Sequence, residues 1–354
     1  MATTNRDGGR GVERLANFLK EPRGISRWRG RKLSMGLMKT VLTSFGGFIT
    51  AAALTMPLHA AQLGNEARSV VPHDLQQLIV VDYRAMQNSP SAMKLRARIL
   101  PPELKRLEDA LKTSGMNENQ DVEQLAFASF RSGGTESTKI IGIAQGQFQT
   151  TQILASFKKQ KITGKKIRTT TIYPMGASGM LVTFLNPTTM IFGDEDGMKA
   201  MLDARDGLAP NMQTNSAMMD LIPAVEGSAV WSILDQKGTQ YMMHSLLGDA
   251  TQVADYETVK KRLLSSRYGM DFDHGVKFNL DVFTPDTFSA ATMSSLLNAA
   301  ALYRKTTTAE PSEKQALAST DVTSNNGTLE VRFKASDSDF ASLLKSELFQ
   351  SVVK

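Results

Sequence analysis

The chain has 354 residues, a formal net charge of +6 and no cysteine. The lack of cysteine excludes disulfides, cysteine-ligated metals, thiol nucleophiles and an acylated lipoprotein N-terminus. Residues 1–61 hold 10 basic and 3 acidic residues, which leaves a nearly neutral 31 basic and 32 acidic residues after them, so no nucleic-acid partner is expected.

Residues 38–61 have the pattern of a secretory signal peptide. Lys39 precedes an uncharged, largely apolar run at 40–56, and small residues follow it. We therefore predict export to the periplasm or the cell exterior, with cleavage after Ala60 or Ala61. If the run is retained, the protein is instead a single-span membrane-anchored one, and only then do we expect membrane contact.

Residues 1–37 precede this signal and are rich in Arg and Gly. We interpret them as a basic N-terminal extension or the product of a mis-set start codon. A genuine basic extension would favour the anchored form, because basic segments stay on the cytoplasmic side of a membrane.

After the leader, the sequence predicts two tandem similar α+β units, at 70–207 and 218–354, with a linker at 208–217. Each unit reads as a strand, a long broken helix, two strands, a helix, further strands and a closing helix. This order is related to the split βαβ plan and indicates an internal duplication. Two dissimilar domains are the alternative.

In the first unit, the predicted strands lie at 78–83, 125–130, 140–148, 166–173, 180–185 and 189–192. The predicted helices begin at Ser89 or Ser91, at Thr150 and at Asp194. Pro101-Pro102 should interrupt the first of these helices, because proline lacks the N–H and clashes with the preceding turn.

The second unit opens with a predicted strand at 229–234 and a long helix from about Thr239 to Ser266, broken near Gly248-Asp249. A hairpin at 270–282 and a helix from Thr284 to about Tyr303 follow. The remaining predicted elements are a short helix at 314–317, a hairpin at 321–334 with its turn at Asn325-Asn326-Gly327, and a last helix from Asp337 or Ser338.

The strands at 276–282 and 328–334 alternate apolar and polar residues. The polar positions are Lys277, Asn279, Asp281, Glu330, Arg332 and Lys334. A period of two indicates an antiparallel sheet with one dry and one wet face, and with helices packed on the dry face only. The wet face could hold a partner or an elongated ligand, or could simply be solvated.

Two charge clusters have both functional and structural interpretations. The acidic cluster at 193–197 lacks the twelve-residue ligand pattern of a calcium loop, so we favour a helix cap at Asp194. Residues 158–168 place six cations in eleven residues. They could bind an anionic glycan, a lipid headgroup or nucleic acid, but a solvated helix end and a lysine-guarded edge strand explain them better.

The chain offers no candidate catalytic, cofactor-binding or metal-ligating residue, and we predict no cofactor. His73, His244 and His274 each lack a second ligand at metal-binding spacing. No Gly-x-Ser-x-Gly or phosphate-binding loop occurs either.

Two groups of short stretches resemble an uncharacterised family of exported bacterial envelope proteins with no known activity. The first group is Val80–Arg84, Leu100–Leu104 and Asp121–Leu125; the second is Thr183–Leu185, Phe192–Glu195 and Leu202–Gly207. The resemblance spans most of 70–354. It implies export and a bacterial envelope setting, and it implies no function.

Together these observations favour an exported non-enzymatic binding or scaffolding protein of the periplasm or cell envelope. Its partner would be an envelope protein, a glycan or a lipid. The alternative is an envelope hydrolase with a site between the two halves. A third interpretation is an accessory subunit with its anchor retained.

Overall fold

The computed structural model describes residues 62–99, 102–113, 115–131, 138–175, 179–247, 256–346 and 349. The predicted extension at 1–37 and the predicted signal peptide at 38–61 lie outside these ranges, as do Pro101 and Gly248-Asp249. Within the described ranges, no helix has both the length and the apolar character needed to cross a bilayer.

The described part of the chain contains twelve strands: β1 Leu75–Asp82, β2 Val122–Arg131, β3 Thr138–Gly146, β4 Lys165–Ile167, β5 Thr170–Met175, β6 Met180–Asn186, β7 Thr189–Gly193, β8 Val230–Leu234, β9 Ser265–Asp271, β10 Val276–Phe283, β11 Thr320–Asn325 and β12 Thr328–Ala335.

The helices of the first half are α1 Asn65–Ser69, α2 Tyr83–Gln87, α3 Pro90–Ile99, α4 Pro102–Thr113, α5 Glu118–Asp121, α6 Thr150–Lys159 and α7 Glu195–Arg205. Those of the second half are α8 Ser216–Met219, α9 Gln236–Leu247, α10 Tyr256–Lys260, α11 Thr287–Thr307, α12 Pro311–Ala318 and α13 Asp337–Leu343. Short 3-10 turns occur at Met212–Thr214 and Ile222–Ala224.

All twelve strands belong to one antiparallel sheet, in the order β11-β12-β10-β9-β8-β1-β2-β3-β7-β6-β5-β4. The predicted α+β class with antiparallel strands is therefore confirmed. The two halves share one continuous sheet, because β1 pairs with β8 in the register Val80↔Trp231.

Reading outward from this central pair, the two halves have the same strand order over five positions. The first half runs β1-β2-β3-β7-β6, and the second runs β8-β9-β10-β12-β11. In each half the final strand lies beside the third, and the penultimate strand lies outside it. The internal duplication itself stays a prediction.

The helices cover the two sides of the sheet unequally. We call the side to which Leu78 and Val80 point side 1, and the opposite side, to which Ile79 points, side 2. Side 2 is packed along its whole length: α4 and α6 lie over the first half, and α9, α10 and α11 lie over the second. Among the described residues, side 1 is packed only over the first half and the central strands, by α1, α7 and the segment 211–225.

The first half thus differs from the expected packing on one face. In β7, five consecutive residues, Thr189–Gly193, are all buried. A strand that is apolar at consecutive positions must be covered on both sides, as in strands sandwiched between two layers. The second half keeps the predicted alternation and its single helical layer.

The segment 208–217, predicted as a linker, packs against the core. Met212 is fully buried, its amide donates to the Val71 carbonyl at 2.8 Å, and Asn211 forms a β-bridge with Pro72. Met212 belongs to the core cluster on side 1 of the first half, so this part of the segment packs on the sheet instead of bridging freely between units.

Two predicted elements differ from those in the structure. The predicted strand at 166–173 is the hairpin of β4 and β5, with Arg168 in the left-handed region at φ 53° between them. The predicted helix at 239–266 ends early, because β9 begins at Ser265 and pairs with both β8 and β10. Tertiary strand pairing overrides the helical spacing there.

The local turn and cap signals have mixed outcomes. Asp194 caps α7 as predicted, accepting from the Gly197 amide at 2.7 Å. The helix predicted from Thr284 begins instead at Thr287, with Asp286 as its cap. The Thr284 hydroxyl donates to the Gly327 carbonyl at 2.8 Å and so ties the helix start to the last hairpin.

Candidate functional site

The candidate site is the part of side 1 in the second half that no described segment covers, which we call the open face. Its residues come from β9, β10, β12 and β11: Arg267, Asp271, Lys277, Asn279, Asp281, Glu330, Arg332, Lys334, Asp321 and Thr323. The apolar residues between them point to side 2, where the helices pack. The alternation expected from the sequence therefore produces a polar surface about four strands wide.

An ion-pair network occupies the centre of the open face. Asp281 accepts from Arg267 Nε at 3.0 Å and from Arg332 Nη2 at 2.7 Å. Arg332 also contacts Glu330 at 3.1 Å and donates to the Leu280 carbonyl at 2.9 Å. These side chains are only 18–33% exposed, so neighbouring strands hold them in a fixed geometry.

The Arg267 end of this network is buttressed by an aromatic ring. The Arg267 guanidinium lies 5.1 Å from the centroid of the Phe283 ring, in cation–π geometry. Phe283 is partly buried and also packs against the side-1 core of the first half. The network is thus anchored where the covered and uncovered parts of side 1 meet.

Lys277 and Lys334 form a second feature of the open face. They are directly opposite each other on β10 and β12, and both are exposed. The nearest acidic position in that row is Asp271, which is opposite Lys277 on β9. Its carboxylate accepts from the Ala229 amide at 3.0 Å and the Ser228 hydroxyl at 3.3 Å. Neither lysine forms an ion pair with any described residue.

On side 2, a buried polar row lies between the two halves. Tyr268 is hydrogen-bonded to Ser232 and Gln77, and burial raises the pKa of its phenol while these hydrogen bonds oppose the rise. Thr239 and Ser266 share a fully buried hydrogen bond of 2.8 Å. These hydrogen-bonded side chains link α9 to the central strands. They lie between the two halves, which is the position of the site in the alternative hydrolase hypothesis.

The three histidines lie on different elements and in different surroundings. His73 Nδ1 is 3.1 Å from Asp74 Oδ1 at the start of β1, and His244 packs edge-on against the Tyr256 ring. His274 is in the β9–β10 turn and is 98% exposed. Over the described ranges, no histidine ring is hydrogen-bonded to a Ser or Thr hydroxyl, and no three His, Asp or Glu side chains are grouped to hold a metal.

The acidic cluster at 193–197 serves as a cap and an ion-pair site. Lys139 Nζ contacts Asp194 at 3.2 Å and Asp196 at 2.8 Å. The hydrogen bond from Lys139 lowers the pKa of the Asp196 carboxyl. With the Asp194 carboxylate also bound to the Gly197 amide, the arrangement matches the helix cap favoured from the sequence.

The basic run at 158–168 divides into paired and unpaired cations. Lys165 pairs with Glu195, and Arg168 pairs with Asp203 and Asp206. The other four are exposed and form no ion pair with a described residue: Lys158, Lys159, Lys161 and Lys166. They lie at the end of α6 and on the edge strand β4, so a favourable helix dipole and edge protection account for them.

Comparison with known proteins adds little to this picture. No family model and no curated protein matches the chain. The structure of crystal form I of TP0453 is 11% identical with a TM-score of 0.44, over 80% of this chain and 96% of that one. Crystal form III of TP0453 gives 12% and 0.42, over 78% and 96%. Scores of this size mark a loose likeness of fold and carry no functional information.

Proposed function

We propose that the protein is an exported, non-enzymatic binding or scaffolding protein of the periplasm or cell envelope, and that it contacts its partner through the open face. The observation that carries this proposal is the unequal cover of side 1. Two helices, α1 and α7, and the 211–225 segment cover the first half of that side. It leaves the second half as a wide polar surface with a pre-arranged ion-pair network.

The charge pattern of the open face favours a protein as the partner. Four basic and four acidic side chains are interspersed on it, so it has no net attraction for an anionic membrane surface. Phe283, the face's aromatic residue, is partly buried beneath Arg267 and offers no free ring for a sugar to stack on. Mixed charges at fixed positions suit a partner with complementary charges.

The histidine surroundings support binding over hydrolysis of the serine–histidine type. Such a hydrolase needs a nucleophile within hydrogen-bond reach of its base. His73, His244 and His274 are distributed over a strand start, a helix and a turn, and in the described part of the chain none has a hydroxyl partner.

The proposed function can be tested by photo-crosslinking in intact cells. A photoreactive residue at Asn279 lies exposed on the open face, and the matched control at Ser295 lies exposed on α11, on the helical side. We expect a discrete protein adduct from Asn279 that is absent from Ser295. Equal labelling at both sites, or none at Asn279, would contradict the proposal.

Export is tested separately by N-terminal sequencing of the protein from cells. Cleavage of the predicted signal gives a mature chain that begins at Ala61 or Gln62. A chain that keeps the residues before Ala60 and fractionates with membranes would instead establish the anchored form, which leaves the open face available for the same partner.

A further inference from the structure

We infer that Lys277 and Lys334 form a clamp for a carboxylate presented by a protein partner. This inference rests on the proposed function, because it assigns a role to one end of the open face. It starts from an unfavourable contact: like charges directly opposite each other on neighbouring strands destabilise a sheet. The fold places two lysines in such a pair, and the carboxylate in their row, Asp271, accepts from the Ala229 amide and the Ser228 hydroxyl and pairs with neither lysine.

Three other unpaired lysines, in the first half, have a structural explanation that Lys277 lacks. Lys158 and Lys159 end a helix, where cations interact favourably with the dipole. Lys166 guards an edge strand. Lys277 is on β10, which is paired on both sides, so neither explanation applies to it. Lys334 lies one residue past the last β11 pair, Thr320↔Phe333, but its side chain is opposite Lys277 on β10.

The rest of the open face indicates which anion fits. Passing from Lys277 and Lys334 toward the network, the rows of side chains carry net charges of +1, 0 and −1. The acidic groups of the last row, Asp281 and Glu330, would repel an extended sheet of phosphates. A localised carboxylate on a polypeptide avoids them, and basic residues farther along the same polypeptide would be favourably placed beside Glu330.

Asn279 supplies the neutral donor next to the clamp. It is two residues from Lys277 on the same side of β10 and is exposed. Its amide can donate a hydrogen bond to a carboxylate oxygen while the two ammonium groups supply charge. The three side chains together provide donors from two adjacent strands to a single acidic group.

The test uses an N-acetylated peptide with one glutamate followed by two lysines, labelled with fluorescein at its C-terminus, as the probe and follows fluorescence anisotropy at fixed ionic strength. We expect Lys277→Gln with Lys334→Gln to weaken binding at least about fivefold, as the loss of two charge-assisted contacts requires. The matched control, Lys158→Gln with Lys159→Gln, removes two unpaired lysines elsewhere and should change affinity less than about twofold. Equal weakening by both double variants, or no binding of the probe, would overturn the clamp.

Two further measurements test the like-charge contact and exclude a lipid headgroup as the ligand. Lys334→Glu replaces the like-charge pair with an opposite-charge pair, so we expect a higher midpoint of thermal unfolding together with weaker probe binding. Phosphatidylglycerol vesicles should not sediment the protein through these lysines; sedimentation lost in the Lys277/Lys334 variant would overturn the assignment to a protein carboxylate. If the Asn279 photo-adduct survives in that variant while probe binding is unchanged, the clamp is wrong and the proposed function stands.

Discussion

Side 1 of the sheet has opposite characters in its two halves, although the strand order is the same in both. In the first half, β3 and β7 present Ile141, Ile143 and Ile191, all buried. In the second half the equivalent strands present Asn279, Asp281 and Arg332. Burial of an aliphatic side chain is worth about 1.5–3 kcal/mol, so the first set requires a covering layer and the second does not. Residue alternation, and not strand order, therefore decides which part of the sheet surface stays exposed for a partner.

The largest loss of stability is expected when a charge is placed on the covered half of side 1. Ile191→Asp places a carboxylate between two packed layers in β7. We expect a loss of at least about 4 kcal/mol in the free energy of unfolding, because the buried charge has no partner. Urea denaturation measures this, with Asn279→Asp on the open face as the control. The control should change stability by less than about 0.5 kcal/mol, and a comparable loss there would show that the open face is buried.

A smaller loss of stability is expected when a side chain is truncated in the segment that covers side 1. Met212→Ala removes a fully buried side chain from the 208–217 segment, and we expect a cost of about 2–5 kcal/mol in the free energy of unfolding. Gln213→Ala, at the exposed neighbouring position, is the control and should be close to neutral. If Met212→Ala is also neutral by urea denaturation, this segment is a linker after all.

On the open face, the ion-pair network should contribute modestly. Asp281→Asn weakens the contacts to Arg267 and Arg332, and we expect a loss of about 1–2 kcal/mol because the pairs are half-buried. Asp321→Asn, exposed on the same face, serves as the control. A larger loss from Asp321→Asn than from Asp281→Asn in denaturant titrations would mean that the network is not formed.

The smallest effect is a pH dependence of the second half. The backbone hydrogen bond from Ser289 lowers the pKa of Asp286, and Arg262 adds to this effect. A lowered pKa in the folded state gives stability that is present above the unfolded pKa, about 3.9, and is lost as pH falls through the folded value. Asp286→Asn keeps a capping side chain without this titration.

This pH dependence is measured by thermal unfolding of wild type and Asp286→Asn between pH 5 and pH 2. The difference in stability between wild type and Asp286→Asn should shrink as the pH falls. A difference that is constant or grows on acidification would refute the capping role of Asp286.

Local signals were sufficient to predict much of the second half. The alternation in β10 and β12 predicts the open face, and the turn at Asn326-Gly327 has both residues in the left-handed region, at φ 45° and 83°. Such features depend on residues close together in the sequence, where turn chemistry and side-chain period fix the conformation.

The remaining features depend on contacts between distant segments. The pairing of β1 with β8 and of β10 with β12 sets which residues are neighbours, and neither register follows from a short turn. The sequence therefore predicts that Lys277 and Lys334 both lie on the polar side, but not that they are opposite each other. Met212 was likewise assigned to a linker, because one apolar residue among turn-forming ones gives no periodic signal.

The central claim, that the open face is covered by a partner in the cell, is tested most directly by thiol labelling. Because the chain has no cysteine, Asn279→Cys and Ser295→Cys each provide a single reactive site. We predict that a maleimide labels both variants at similar rates in the purified protein, and that in intact envelopes Asn279→Cys is protected while Ser295→Cys is not. Equal labelling of the two positions in envelopes would contradict the account.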